Sequence, residues 1–599
     1  MSESTMTWDL ETIFSGGSSS PDYREFRSQV RAALEQAQET LDALPKRLDA
    51  QTEDHWREFL HRLEEVAARI SQAESFAHCL AAQDVTDEAA LGIIEEMSSM
   101  NARLQAIMTG VEELATTAGD TEWDRLVSRE PLAGSRFFWD ELRRNARDKM
   151  EPKMERLTAE LAVNGYHGWN RLYSKIAGDL RAEFTEDGET KSLSMGQLAN
   201  RFNSPKRDIR RQAFEKLEES WRSVDALAAM ALNSQAGFRL DVYKNRGWES
   251  PLHEPLVMGR LKRETVEAMW RAVAGGARKM SEYVAAKKRL LGLDEFRWYD
   301  QAAPAAGTEK SFSYEEACNF VAEHLSSFSK DLGSFARKAI DNRWIEAEDR
   351  SGKAAGGFCT GFPVSKESRI FMTFSGAYDE LMTIAHELGH AYHSYVLKDL
   401  NYFARHYPMN LAETASTFNE LLVTDAALNA AGDEETRLSL LDKKLQEGFV
   451  MFCNIRARFL FDSRFYEERK QGSVPKERLN EIMVEAQKEA FAGTLAENGY
   501  HPLFWASKLH FFETEMPFYN FPYTFGYLFA GGIYDLARKE GPEFAESYRA
   551  LLADTGSMTT EELAEKHLDI DLTGDRFWSA AVERVVADLE PFGKLAASR

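Results

Sequence analysis

Residues 378–397 read YDELMTIAHELGHAYHSYVL, and the rest of the chain is understood from this stretch outward. Leu381, Ile384, Leu388 and Tyr395 recur at helical spacing and form an apolar stripe, so Tyr378–Leu397 is expected to be one buried helix. On that helix His386 and His390 stand four residues apart and share a face. Two imidazoles on a buried helix need partners, because unpaired buried polar groups are costly. One ion held between them supplies the partner. Zinc takes imidazole nitrogen at about 2.0–2.1 Å, and a catalytic zinc site uses three protein ligands and keeps one position for water. Glu387, beside the pair, is placed to act as general base on that water. Gly389 weakens the helix but lets another element approach closely. His393, one turn further on, reads as a supporting or surface residue and not as a ligand.

The third ligand is expected from the next element. Residues 408–428 read PMNLAETASTFNELLVTDAAL. Leu411, Ala415, Phe418 and Leu422 make a packing stripe, while Glu413, Thr417 and Glu420 fall together on another face. Alone, each glutamate would read as part of a solvated face. Just beyond the HELGH helix, a returning helix of this kind can place a carboxylate on zinc. Glu413 is the ligand candidate, and Glu420 or Thr417 the residue that orients a histidine.

Before the motif, Arg369–Phe374 (RIFMTF) is short, apolar and aromatic-rich, and is expected to be a strand. It follows the glycine-rich stretch Gly352–Pro363 (GKAAGGFCTGFP). Elsewhere helical periodicity prevails. Phe26, Val30, Ala33, Leu34, Leu41 and Leu44 form one stripe, and Trp56, Phe59, Leu60, Leu63, Val66, Ala67 and Ile70 another. Further helices are expected over Ala89–Leu114, Met150–Leu161, Pro205–Leu240, Arg263–Leu291 and Tyr314–Ile340, with a loop at Ala302–Gly307. Two domains are expected: residues 1–200, a helical lobe without evident chemistry, and residues 201–599, the catalytic part.

With 599 residues, 43% of them hydrophobic, the chain has ample material for a large core. The formal charge of −24 disfavours nucleic acid as a partner. Cys79, Cys318, Cys359 and Cys453 form no CxxC pair, which fits a reducing compartment; Cys359 reads as a packed thiol more than a reactive one. The opening MSESTMTWDLETIFSGGSSS lacks the pattern of a secretory signal. No uninterrupted apolar run approaches the length of a membrane span. A cytoplasmic protein with no membrane partner is therefore expected.

Three segments carry a family resemblance: HELGHAYH at 386–393, AETASTFNE at 412–420 and FYNFPYTFGYL at 518–528. Together they resemble the M3 family of metallopeptidases, in its oligoendopeptidase F branch, with weaker similarity in TWDLETIF at 7–14 and WYDQAAP at 298–304. The resemblance implies a mainly α, zincin-like fold: a two-lobed helical body with a deep central channel and a small β-sheet beside the zinc helix. It implies one zinc ion per chain on His386, His390 and Glu413, with Glu387 as base. It implies an endopeptidase that hydrolyses short unfolded oligopeptides with a metal-activated water. The GGFC segment, with Gly356 and Gly357, matches a family edge strand that pairs with the substrate backbone. Thimet-type members carry a glycine-rich loop before their catalytic tyrosines; here the segment is HFFETEMPFYNFPYTFGY, at 510–527. Tyr523 and Tyr527 are four residues apart, which on a helix places both hydroxyls on one face, with Pro522 tolerated near the helix start. Tyr523, Tyr527 and His510 are therefore the candidate oxyanion donors, and Tyr519 a packing or substrate-contact residue. A dipeptidyl carboxypeptidase of the same family, or a helical peptide-binding scaffold without activity, are the rival readings. The protein is expected to work as a monomer or small homo-oligomer.

Overall fold

The computed structural model describes residues 5–306 and 311–599. Met1–Ser4, where the chain's opening was read, and the Gly307 end of the expected loop lie outside the described residues. Among the described residues helices dominate, joined by five short strands. Contacts divide the chain into two compact units, each drawn from three separate segments. The division expected at residue 200 follows chain order, whereas the compact units do not.

The first unit comprises Met1–Lys149, Lys310–Ala426 and Leu536–Asp569. Its opening helices, Pro21–Ala43, Glu53–Gln83 and Glu88–Thr117, pack on one another. Pro21 sits at the start of the first, where its missing N–H costs nothing, and the Ser20 hydroxyl accepts from Tyr23 N–H. The expected stripes bury as read: Val30, Leu34 and Leu41 on the first helix, and Trp56 through Ile70 on the second. Their core runs on without a break into Phe362 and Phe371 of the sheet.

That sheet has three strands, β3 (Ile345–Glu346), β4 (Phe358–Phe362) and β5 (Glu367–Phe371), in the order β3–β5–β4. The pair β3–β5 is parallel and β4–β5 antiparallel, with Phe358 opposite Phe371 and Phe362 opposite Glu367. The strand expected at Arg369–Phe374 starts two residues earlier. Its extended course still reaches Phe374, whose N–H donates to Ala347 O at 2.9 Å. Strand β4, at one edge, is held from the side by the second helix: Ser75 Oγ donates to Gly361 O at 3.0 Å and Thr360 Oγ1 to Ser75 Oγ at 2.9 Å.

The second unit comprises Met150–Glu309, Ala427–Asp535 and Ile570–Arg599. It contains the long helix Arg263–Leu290, packed on Asp575–Val586 and Leu589–Ala597, and the pair Ile455–Arg469 and Lys476–Phe491. One reading needs correction. Residues 181–194, taken as part of an all-helical first third, form an antiparallel hairpin, β1 (Arg181–Glu186) and β2 (Glu189–Ser194). Its signal was present: Asp187 and Gly188, at φ 52 and 84, form the Asp-Gly turn whose twist suits a two-residue hairpin. The stretches 205–240 and 314–340 are each two helices, the second pair divided at Ser329, whose side chain accepts from Leu332 N–H.

Candidate metal centre

The motif helix is Tyr378–Leu397, as its spacing predicts. Glu380, in its first turn, accepts from the N–H groups of Ser375, Gly376 and Ala377 at 2.6, 2.7 and 3.0 Å. The Ala377 N–H is a donor that a helix start otherwise leaves bare, and the other two fix the turn that leads into it. Leu381, Ile384 and Leu388 are fully buried, and the helix rests on β4 and β5.

The next segment is not one continuous helix. Met409–Ala412 and Thr414–Ala430 are separated by Glu413, so the residue read as lying on a helix face sits at a break. What brings it to the histidines is Gly389. A Cβ there would lie 2.5 Å from Ala415 O and 2.5 Å from Ser416 Cα, so the two backbones touch, as only glycine allows. Asn419 Nδ2 donates to Ala385 O at 3.1 Å and ties the two helices together.

The result is a compact triangle of donors. His386 Nε2 and His390 Nε2 are 3.1 Å apart, and Glu413 Oε2 lies 3.4 and 3.5 Å from them. Tetrahedral coordination with bonds of about 2.0–2.1 Å has ligand–ligand edges of about 3.3 Å. The donor set therefore has the chemistry and the spacing of a three-ligand site, and it is the group among the described residues that could hold a metal ion. Glu420 Oε1 meets His386 Nδ1 at 2.7 Å, which turns Nε2 toward the triangle. Ser416, which the sequence reading did not single out, donates from Oγ to Glu413 Oε2 at 2.6 Å. Thr417 is buried and joined to Glu413 through its backbone N–H, at 3.1 Å.

On the chain's own groups, the two imidazoles cannot both be charged at this separation. Burial disfavours charge on His386, but Glu420, Glu413 and Glu387 outweigh it and raise its pKa to about 9. Burial and the His386 charge push His390 down to about 4. Glu387 is buried, and its Oε2 has no hydrogen-bond partner among the described residues. Burial pushes its carboxyl up to about 7, against the pull of His386. Its Oε1 lies 3.7 Å from where a Cβ on Gly357 would stand. Gly356, at φ +101, and Gly357 lead into β4, and Gly357 borders this carboxylate.

His393 is a buried packing residue, not a surface one. Its Nε2 lies 2.8 Å from Thr555 Oγ1, and its ring stacks on Tyr407 at 4.2 Å. Cys359 is half-buried, and burial raises its thiol well above the usual range, so it is no reactive thiolate.

The aromatic candidates lie in the second unit, on and before the helix Phe521–Glu540. His510, Tyr519 and Tyr523 form one half-exposed cluster. The His510 ring is 4.8 Å from Tyr519 and 6.2 Å from Tyr523, and the two tyrosine rings are 6.0 Å apart. Tyr527 is not brought into it. It is buried under the helix, with Arg584 over its ring at 5.8 Å and its hydroxyl 3.6 Å from where a Cβ on Gly448 would lie. The shared face expected from spacing four is thus divided by what each ring packs against.

The profile described as Peptidase family M3 matches residues 202–583, and that described as Oligopeptidase F matches residues 116–181. Oligopeptidase PepF of Bacillus subtilis is 23% identical over 596 residues, covering 98% of this chain and 87% of that one. The chromosomal oligoendopeptidase F of Lactococcus lactis subsp. cremoris is 26% identical over 356 residues, and the match spans 58% of each chain, less than two thirds of that enzyme. Among solved structures, a chain from Chlamydophila abortus whose peptidase assignment is itself provisional superposes with a TM-score of 0.82 at 19% identity, covering 98% of both chains. Oligoendopeptidase-F from Enterococcus faecium gives 0.71 at 19% identity, covering 96% of this chain and 99% of that one. With the profile spanning well over half its length, the chain belongs to peptidase family M3.

Proposed function

We propose that this protein is a zinc-dependent oligoendopeptidase that cleaves short, unfolded peptides. The observation that carries the reading is the donor triangle of His386, His390 and Glu413, with a Glu387 oxygen beside it that has no hydrogen-bond partner among the described residues. His386 Nε2, His390 Nε2 and Glu413 Oε2 would hold one zinc ion per chain. When bound, that ion supplies Lewis acidity, which polarises the scissile carbonyl and makes water acidic enough to attack near neutral pH. The chain's residues do the rest. Glu420 holds the Nδ1 proton of His386 and so keeps its Nε2 lone pair directed inward. Ser416 fixes the carboxylate of Glu413. Glu387 takes the proton that the attacking water gives up and returns it to the leaving amine nitrogen. Gly356 and Gly357 leave room for the backbone of a peptide laid against the lead-in to β4, next to that carboxylate. Tyr523 is the proposed neutral donor to the oxyanion, with Tyr519 in contact with substrate. We place the enzyme in the cytoplasm, a reading supported by four unpaired cysteines.

Metal analysis of the purified chain, with a cleavage map on a mixed peptide library before and after chelation, tests the reading. About one zinc per chain is expected, with internal cleavage that chelation abolishes and zinc restores. Cleavage confined to C-terminal dipeptides, and lost when the C-terminus is amidated, would instead make it a dipeptidyl carboxypeptidase. A zinc-loaded chain that cleaves nothing in the library would overturn the reading.

A further inference from the structure

His510 sits in a polar network that fixes which of its nitrogens carries the proton. Its Nδ1 is 2.8 Å from Asn520 Oδ1 and 3.1 Å from Arg458 Nη1. Arg458 Nη1 also lies 2.8 Å from the same Asn520 oxygen, and Arg458 Nε donates to Asn454 Oδ1 at 2.9 Å. Asn520 and Arg458 are more than nine-tenths buried, so neither has water as an easy alternative partner.

The donor count leaves one arrangement. Arg458 can only donate. Were His510 Nδ1 the lone-pair nitrogen, it would face the nearby Asn520 oxygen acceptor against acceptor. Turning the Asn520 amide over would relieve that contact but press its NH2 group on the equally close Arg458 donor. A proton on Nδ1 makes both Asn520 contacts favourable and leaves the donor–donor contact with Arg458 as the longest of the three. We propose that Asn520 and Arg458 are positioning residues that hold His510 as the neutral tautomer protonated at Nδ1, so that Nε2 meets the substrate as a hydrogen-bond acceptor for a peptide N–H and not as an oxyanion donor.

This inference rests on the reading that the aromatic cluster contacts peptide, and it reverses the donor role expected for His510 from sequence. The groups around the ring agree with a neutral imidazole. Arg458 comes from the helix Ile455–Arg469, Lys508 from the same segment as His510, and Tyr519 and Tyr523 flank the ring. Burial lowers the pKa of His510; the Asn520 bond opposes this, while the Arg458 and Lys508 charges add to it. An oxyanion would then have Tyr523, an O–H donor, as its partner.

The test is nitrogen-15 NMR of ring-labelled histidine in the full chain, with the His510 signal assigned by its loss in His510→Gln. The parent should show the proton on Nδ1 across neutral pH. Asn520→Leu, which removes the acceptor, should move it toward the commoner Nε2 form and lower turnover about tenfold, the size of one lost hydrogen bond. Asn520→Asp keeps the shape and adds charge; it should retain the Nδ1 proton and raise the His510 pKa. A parent signal with the proton on Nε2 overturns the proposal, whether or not either variant folds. An unchanged tautomer in folded Asn520→Leu does so too. Because the signal needs neither zinc nor turnover, an inactive but correctly protonated chain would count against the peptidase reading and not against this one.

Discussion

The metal donors and the aromatic segment 510–527 were both read from side chains four residues apart, and the structure treats them differently. His386 and His390 converge to 3.1 Å because they point at a common place, bounded by a helix that Gly389 lets into contact. Tyr523 and Tyr527 diverge: one joins His510 at a half-exposed cluster, the other goes under its helix to Arg584. Spacing on a helix fixes the direction of the Cα–Cβ bond only. Beyond Cβ, polar groups that need a shared partner meet, and large aromatic rings go wherever each finds surface to bury.

Removing a donor should produce the largest effect. His386→Ala or His390→Ala is expected to lose zinc and activity together, whereas Glu387→Gln should keep zinc and lose about 10²–10⁴-fold in turnover. Zinc content by plasma emission alongside peptide turnover checks this; full zinc occupancy in a chain lacking both histidines would falsify the assignment of the triangle.

The tyrosine pair gives the next effect, and a direct way to break the comparison. Tyr523→Phe should reduce turnover about 10²–10³-fold at unchanged zinc content, as loss of an oxyanion donor does. Tyr527→Phe should leave turnover near parental and lower stability by about 1 kcal/mol, through its lost contact with Arg584. If the two variants exchange these phenotypes, the structural separation of the pair has no functional meaning.

Gly389→Ala sharpens the other side. The added methyl meets backbone at 2.5 Å on both Ala415 and Ser416, so it cannot be relieved by turning a side chain. A loss of about 1–3 kcal/mol or more is expected in denaturant unfolding, with weaker zinc binding because Glu413 moves with the displaced segment. Parental stability in this variant would show that the helices are not in contact there.

The last effect is one of pH. Burial holds His393 neutral, with its pKa lowered from 6.5 to about 3. Between those values the unfolded chain binds the proton and the folded one does not, so His393 contributes stability above pH 6.5 that is lost as pH falls toward 3. The slope from this one group is at most about 1.4 kcal/mol per pH unit. Urea midpoints measured from neutral pH down to about pH 5 should fall less steeply in His393→Gln; identical slopes would place the acid sensitivity elsewhere.

Much of this was legible in the sequence where one residue's requirement is local. The i, i+4 histidines and the adjacent Glu387 follow from helix geometry alone, and Gly389 reads as a place where another element can come close, though not which one. The break at Glu413 was not legible, because the packing stripe Leu411–Leu422 continues through it. The hairpin at 181–194 was missed although Asp187–Gly188 announces it: β1 buries only Ala182 and Phe184 and β2 only Leu193, a weak pattern inside a helical neighbourhood. The protonation pattern at His510 was out of reach, because it depends on Arg458 and Asn520, which only the tertiary structure brings together.

The way the first compact unit is assembled from three stretches bears on how the protein is made. The motif helix packs against Phe544–Asp554, and the ring of His393 is bonded to Thr555, 162 residues later in the chain. During synthesis at about 5–20 residues per second, the helix that carries the metal donors therefore waits roughly 10–30 s before its last neighbour leaves the ribosome. Through that interval the stripe can rest on β4 and β5, already made, while the side that bears His393 lacks its final cover. The buried place of His393 is therefore completed only when the segment 544–555 arrives, near the end of synthesis.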